Sequence, residues 1–149
     1  MGWKEFEEES PELAKFGAER LKNNVAYLAT ASENGQPRVH PVSPIVGDGH
    51  LFLFMERTSP KAHDLRKNAR YALHSSVGDT SGSNGEFAIT GRAALISDPE
   101  LRVTAARIRG EWYKPKESYV LFELTVERAM ATTYSNDNPV RKRWKSSGP

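Results

Sequence analysis

One turn in the first half of the chain combines residue types that suit the binding of an anion. It reads Thr58-Ser59-Pro60-Lys61 and opens a short helical pattern. Ser59 can cap this helix, and Pro60 suits its first position because the amide hydrogen that proline lacks would have no helical partner there. Lys61 then lies in the first turn, where the positive end of the helix dipole disfavours a cation unless an anion is near. Free amides, two hydroxyls and an ammonium group therefore indicate a candidate phosphate site.

The same four residues also fit an ordinary capped helix with a solvated lysine, which is the commoner arrangement. Other candidate sites are weaker. The loop 78–85 is rich in glycine and serine, but it lacks the Gly-Lys-Ser/Thr ending of a phosphate-binding loop and no helical pattern follows it, which favours a surface loop. The serines show no nucleophile-elbow sequence. The histidines show no metal-ligand spacing, and we predict no metal site. They are His40, His50, His63 and His74.

Composition narrows the class of protein. The 149 residues suit one domain with a real core. The chain has no cysteine, which excludes disulfides, thiolate catalysis and zinc–thiolate sites. Charged residues make up 27% and the formal net charge is +2, so no strong field attracts the chain to nucleic acid or membrane. No apolar run reaches membrane length and the N-terminus does not resemble a signal peptide. We therefore expect a cytoplasmic protein.

The first part of the chain predicts a helix and then antiparallel strands. Residues 3–10 are acidic and predict a loose segment, whereas 11–23 carry the apolar spacing of a helix. A strand over 25–32 is followed by Asn-Gly, the strongest short hairpin signal. The return strand, 37–46, contains two internal prolines that cannot donate to a ladder. It is therefore expected at a sheet edge or a bulge.

The next strand, 51–55, is apolar on both faces, so protein should cover both sides. One small barrel is not expected to cover both, and we therefore predict a homodimer. Further strands are predicted over 70–76, 86–96, 120–126, 130–135 and 140–145, with a helix that starts after Asp98 and has Leu101, Ala105, Ile108 and Trp112 on one face. The sum is a mainly β chain with short helices, which predicts a six- to seven-stranded antiparallel barrel.

The last predicted strand is strongly basic and contains Arg141-Lys142-Arg143-Trp144-Lys145. A basic stripe with an aromatic residue can bind a single-stranded nucleic acid. The nearly balanced charge of the whole chain favours two other interpretations, a solvated strand or a contact with a phosphate on a partner subunit. We predict no nucleic-acid partner and no membrane partner.

Four short motifs occur in a fixed order along the chain. They are Asn34-Gly35-Gln36-Pro37-Arg38-Val39 on the first hairpin, Ser59-Pro60-Lys61 at the helix start, Leu65-Arg66-Lys67-Asn68 at the helix end, and Ala72-Leu73 on the next strand. In these motifs the chain resembles the pyridoxamine 5′-phosphate oxidase-like family of flavin-binding split barrels. The resemblance covers about residues 25–145, and it implies a dimeric split barrel that binds FMN at the subunit interface.

The resemblance also implies roles for individual residues. Lys61 and Ser59 match phosphate-binding positions, and Arg38 matches the basic position on the second strand. The chain from Val39 to Ser43 would run beneath the isoalloxazine ring, with Phe54 and Met55 beside it. Glu86 lies where the family often has glutamine. The candidate cofactor-binding residues are thus Arg38, Val39, His40, Pro41, Val42, Ser43, Phe54, Met55, Thr58, Ser59, Lys61 and Glu86. They belong to a barrel domain over 25–145, between an N-terminal segment and helix (1–24) and a tail (146–149).

One departure from the family pattern affects the expected activity. True oxidases of this family carry Arg-x-His near the C-terminus for the pyridoxal phosphate substrate, whereas this chain reads Arg141-Lys142-Arg143. The resemblance therefore implies an FMN-dependent oxidoreductase of unassigned small-molecule substrate that is not a true pyridoxamine phosphate oxidase. We name no catalytic residue. The alternatives are a deazaflavin-dependent reductase, or a non-catalytic flavin or haem carrier with His40 or His74 as an axial ligand.

Overall fold

A computed structural model describes residues 2–148 as a curled antiparallel sheet of nine strands with four helices. In chain order the elements are α1 (Trp3–Glu9), α2 (Pro11–Leu21), β1 (Ala26–Ala31), β2 (Pro37–Val42), β3 (Ile45–Gly47), β4 (His50–Glu56), α3 (Pro60–Lys67), β5 (Arg70–Ser75), β6 (Glu86–Ile96), α4 (Pro99–Arg109), β7 (Tyr119–Leu124), β8 (Arg128–Ser135) and β9 (Asn138–Lys145).

The sheet is a split barrel, as predicted. Its strand order is β2-β1-β5-β6-β7-β4-β3, and β8 joins β6 and carries β9. The long strand β6 organises this arrangement: it pairs with β5 on one side, and with β8 and then β7 on the other. Strands β2 and β3 are the two ends of the path, although only Ser43 and Pro44 separate them in the chain.

This break is one reason for a strand number of nine rather than six to seven. The predicted single strand over 37–46 is divided, because β2 pairs with β1 whereas β3 pairs with β4. Pro44 lies between the two strands and has no amide hydrogen to offer a ladder. The prediction that the proline-containing strand lies at an edge is confirmed, since β2 with Pro41 ends the path.

Strand β4 is buried on both faces, as its sequence predicts, but a single chain covers both. Leu51 and Leu53 point into the barrel core. Phe52 points the other way, into a second cluster with Ala105 of α4 and Leu121 of β7. The apolar second face therefore needs no partner subunit, and the homodimer prediction loses the observation on which it was first based.

The acidic segment near the N-terminus is helical, and the prediction of a loose segment is wrong. Trp3 and Phe6 of α1 are both buried in the barrel core. They are three residues apart, so they share one helix face. The ring of Phe6 contacts Trp144 of β9 at a centroid distance of 4.8 Å. No helix within residues 2–148 is long and apolar enough to span a membrane.

Candidate functional site

A cleft of about 440 Å³ opens between the end of β2 and strand β4. Six of the predicted cofactor-binding residues line it: Pro41, Val42, Ser43, Phe54, Met55 and Lys61. They meet because the chain leaves β2 on one side of the split and returns as β4 on the other. Strand β4 then runs into α3 through a three-residue turn, which brings Lys61 to the cleft.

The start of α3 has the predicted cap. The Ser59 hydroxyl accepts a hydrogen bond from the amide of Ala62 at 3.3 Å and donates one to the carbonyl of Glu56 at 2.7 Å. Pro60 occupies the first helical position. The hydroxyl hydrogen of Ser59 is thus already used within the turn, and Ser59 acts mainly by fixing the helix start. Thr58 is exposed beside it.

A polar network lies next to Lys61, between β1, β2 and α3. The Nε atom of Arg38 is 3.1 Å from Oδ2 of Asp64. The Thr30 hydroxyl donates to the same carboxylate oxygen at 2.8 Å, and Nε2 of His40 is 3.2 Å from the Thr30 oxygen. Sequence reasoning missed Thr30 and Asp64, because only the packing of α3 on β1 brings them to Arg38.

The two predicted phosphate-binding cations both influence the protonation of His40. Burial, followed by the charge of Lys61, lowers the pKa of His40. Asp64 opposes this change and Arg38 adds to it. Lys61 lines the cleft, and Arg38 lies beside it, because Arg38 pairs with Asp64, which follows Lys61 by three positions on α3. A helix start, two cations and a histidine can together bind a phosphate group.

Six of the predicted residues do not line this cleft in the single chain: Arg38, Val39, His40, Thr58, Ser59 and Glu86. Val39 is 68% exposed on the outer face of β2. Glu86 of β6 accepts a hydrogen bond from the Tyr134 hydroxyl at 2.7 Å, which raises the pKa of Tyr134, and its other oxygen is 3.3 Å from Nε2 of His74. Whether Val39 or Glu86 contacts a cofactor therefore stays a prediction.

The opposite wall of the cleft was not predicted. It contains Arg109 from the end of α4, together with Tyr113 and Tyr119. The guanidinium carbon of Arg109 is 5.9 Å from the centroid of the Tyr113 ring. Burial, followed by the neighbouring Tyr119, raises the pKa of Tyr113. Arg102 fixes this wall by donating to the carbonyls of Tyr119 at 2.7 Å and Lys116 at 2.9 Å.

The aromatic content of 112–119 was the signal available for this wall. Sequence periodicity instead extended α4 to Trp112 and placed that residue on the buried face. The helix ends at Arg109, Gly110 follows it, and Trp112 is 73% exposed. Among residues 2–148, no three histidine, aspartate or glutamate side chains are grouped as metal ligands.

Comparison with known proteins decides the family. A family model described as pyridoxamine 5′-phosphate oxidase matches residues 11–133. The chain belongs to this family. No curated protein matches this oxidase-family chain.

Solved structures share the split-barrel fold at low sequence identity. HutZ, the haem storage protein of Vibrio cholerae, is 19% identical, with a TM-score of 0.63 over 79% of this chain and 89% of that chain. PhzG from Burkholderia lata, solved with tetrahydrophenazine-1-carboxylic acid, is 17% identical, with a TM-score of 0.67 over 98% and 88%. An F420 reductase is 14% identical, with a TM-score of 0.59 over 75% and 94%. These likenesses establish the fold of the oxidase-family chain and not its ligand.

Proposed function

We propose that this chain is an FMN-dependent oxidoreductase that holds the cofactor phosphate with Lys61 and Arg38. The observation that carries the proposal is the position of Lys61 in a cleft that also has apolar and aromatic side chains, with the Arg38–Asp64 ion pair one helical turn farther along α3. The polar residues Ser43, Glu56 and Arg109 also line this cleft. FMN has the matching shape, with a phosphate at one end and a flat ring system at the other. The cleft volume of about 440 Å³ also lies in the usual range for small-ligand sites, roughly 300–1,000 Å³.

The residues of the cleft fit the two parts of FMN differently. Lys61 and Arg38 offer charge-assisted hydrogen bonds to the phosphate. Val42, Phe54 and Met55 offer an apolar surface for the ring and restrict the access of water. A bound flavin supplies hydride or electron transfer itself, so the protein has to bind, orient and shield it. Because the flavin would supply the chemistry, the cleft needs no acid–base pair, and we name none.

Two other cofactors are compatible with the family, and specific observations rank them. A deazaflavin would use the same cleft, and the likeness to an F420 reductase keeps this candidate second. Haem is the weaker candidate. The ring nitrogens of His74 face the Ser75 carbonyl at 2.6 Å and the Glu86 carboxylate at 3.3 Å, so an iron ligand would have to displace one of them. Nε2 of His40 faces Thr30, which leaves Nδ1 of that ring for a ligand.

We also propose that two chains pair through the outer face of the sheet. The cross-strand register aligns Pro41, Tyr27, His74, Ala88 and Met130 in one row across five strands. The exposed side chains on this face include Tyr27, which is 45% exposed.

The same outer face carries a second groove, of about 520 Å³, between β6, β8 and β9. Its floor includes Ala88 and Met130, and its rim carries Arg128, Arg143 and Lys145. In a dimer through this face, Glu86 and the basic strand β9 would approach the cleft of the other subunit. This arrangement would account for the predicted roles of Glu86 and Val39.

The absorption spectrum of the purified protein tests the proposed cofactor most directly. Flavin, deazaflavin and haem have different spectra, and the apoprotein can be titrated with each of them. We expect FMN to bind and to bind more tightly than riboflavin, which lacks the phosphate. A protein that binds haem or deazaflavin but not FMN would contradict the proposal.

A further inference from the structure

The carboxylate of Asp64 is fully buried, although one of its two oxygens has no hydrogen-bond partner within residues 2–148. Its side chain is 0% exposed, whereas that of Arg38, its ion-pair partner, is 40% exposed. Oδ2 accepts a hydrogen bond from Thr30 and forms an ion pair with Arg38, but Oδ1 is buried with no hydrogen-bond partner among residues 2–148. A buried ion pair is often replaced by apolar residues without loss of stability. Stability alone is therefore a weak reason for a carboxylate at this position.

The hydrogen bonds around Asp64 have a fixed direction. Thr30 has one hydroxyl hydrogen and donates it to Asp64, so the Thr30 oxygen can only accept from Nε2–H of His40. The neutral ring of His40 then carries its hydrogen on Nε2, and Nδ1 is left with a lone pair. Nε of Arg38 is 3.1 Å from Oδ2 of Asp64, and the two terminal nitrogens lie beyond Nε at the end of a side chain that is 40% exposed.

We infer that Asp64 is a positioning residue for phosphate binding, which holds the guanidinium of Arg38 by Nε so that the terminal nitrogens face the ligand and which orients the His40 ring through Thr30. The inference rests on the proposed function, because it assigns the phosphate of FMN to the cleft end beside Lys61. Asp64 does not touch the phosphate in this arrangement. It acts only through Arg38, Thr30 and His40.

A single substitution distinguishes a positioning role of Asp64 from a purely electrostatic effect of its charge on phosphate binding. Asp64 is an anion beside an anion-binding site, so charge alone predicts that Asp64→Asn strengthens phosphate binding. Positioning predicts the opposite result, because a neutral amide holds the guanidinium of Arg38 less strongly than a carboxylate does. We expect Asp64→Asn to weaken FMN binding by about tenfold, the effect of one charge-assisted hydrogen bond, and to change riboflavin binding by less than about twofold.

The matched control is Asp48→Asn. Asp48 also pairs with an arginine, Arg107, at 2.7 Å, but both side chains are exposed and neither lines the cleft. Asn tolerates the left-handed backbone of Asp48, where φ is +52°. This control removes the same charge and should leave the affinities for both flavins unchanged. Equal or tighter FMN binding by Asp64→Asn would overturn the inference, and so would equal losses for FMN and riboflavin.

A second measurement uses the wild-type protein and needs no flavin and no folded variant. In NMR spectra the Nε–H resonance of Arg38, assigned through its side-chain connectivities in the wild-type protein, should exchange with water more slowly than that of Arg107. It should also shift when inorganic phosphate is added. If wild type binds neither flavin, the proposed function fails, whereas the positioning role is still decided by this resonance. Fast exchange, or no shift with phosphate, would overturn it.

Discussion

Thr30 donates its hydroxyl hydrogen to a carboxylate oxygen of Asp64 over 2.8 Å, and this bond determines how His40 is held. Thr30 lies on β1 and Asp64 on α3, so the bond joins the sheet to the helix that carries Lys61. The His40 ring contacts the Thr30 oxygen and is surrounded by charges of both signs. The protonation of His40 should therefore report on the whole phosphate end of the cleft.

We expect His40 to make the protein less stable in mild acid. Burial and the charge of Lys61 lower the pKa of His40 below the 6.5 of an unfolded chain. Between the folded pKa and about 6.5 the unfolded state binds more protons, so stability rises with pH through this window and is lost as the pH falls through it. Denaturant midpoints of wild type and His40→Gln at pH 7 and pH 5.5 measure this effect. The substitution should remove part of the loss.

His63 is the control for this experiment. It precedes Asp64 in the chain, but its ring is exposed and lies 3.5 Å from Glu33. His63→Gln should keep the pH dependence of wild type. If His40→Gln and His63→Gln lose stability equally between the two pH values, His40 does not carry the effect.

The sequence could predict the parts of this site that depend on neighbours in the chain. The Asn-Gly hairpin forms with Gly35 at φ +84°, and Ser59 caps α3 as expected, because both depend on a few consecutive residues. The same local logic places Lys61 at the start of its helix. It also predicts the edge position of β2 from its prolines.

The parts that escaped prediction depend on contacts between distant residues. The acidic composition of α1 indicated a loose segment, because it does not show that Trp3 packs against Phe87 and Phe6 against Trp144. The second face of β4 is covered by Ala105 of α4, about fifty positions later, so its apolar pattern indicated a partner that this face does not need. Likewise, Arg109 reaches the cleft only because α4 packs on that face. No periodicity within a segment contains this information.

We expect no useful oxidation of pyridoxamine or pyridoxine phosphate. The family's Arg-x-His element is missing, since the chain reads Arg141-Lys142-Arg143 near its end. These residues lie on β9, outside the cleft of their own chain. Steady-state assays of the FMN-loaded protein should stay well below the ordinary enzymatic range, about 1 per second or faster. Turnover in that range would contradict this expectation, whereas a weak side activity would not.

We expect a homodimer, and two valines test which surface forms it. Val39 on the outer face of β2 and Val103 on α4 are both 68% exposed. An obligate interface should bury on the order of 2,000 Å² or more. A charge placed in it should separate the subunits, because an unpaired buried charge is costly. Light scattering should therefore report a dimer for wild type and Val103→Glu, and a monomer for Val39→Glu.

A mass of 16.7 kDa for wild type at micromolar concentration would contradict the dimer itself. A dimer that is disrupted by Val103→Glu and not by Val39→Glu would keep the dimer but assign it to the face of α4. In that case Glu86 and β9 would not approach the neighbouring cleft, and the proposed shared site would be wrong.

Substitution of Lys61 tests most directly whether this site binds the cofactor phosphate. Lys61 makes no ion pair within residues 2–148, whereas Arg38 forms one with Asp64. Arg38→Ala would leave a buried carboxylate without its cation and so disturb the fold as well as the site. A charge-assisted hydrogen bond to phosphate contributes roughly 1.5–3 kcal/mol, so Lys61→Ala should weaken FMN binding by about tenfold to a hundredfold. Riboflavin binding should change much less.

The control for Lys61 is Lys67→Ala, which removes an exposed lysine from the other end of α3 and should leave both affinities unchanged. Equal losses of FMN and riboflavin binding in Lys61→Ala would mean that Lys61 does not hold the phosphate.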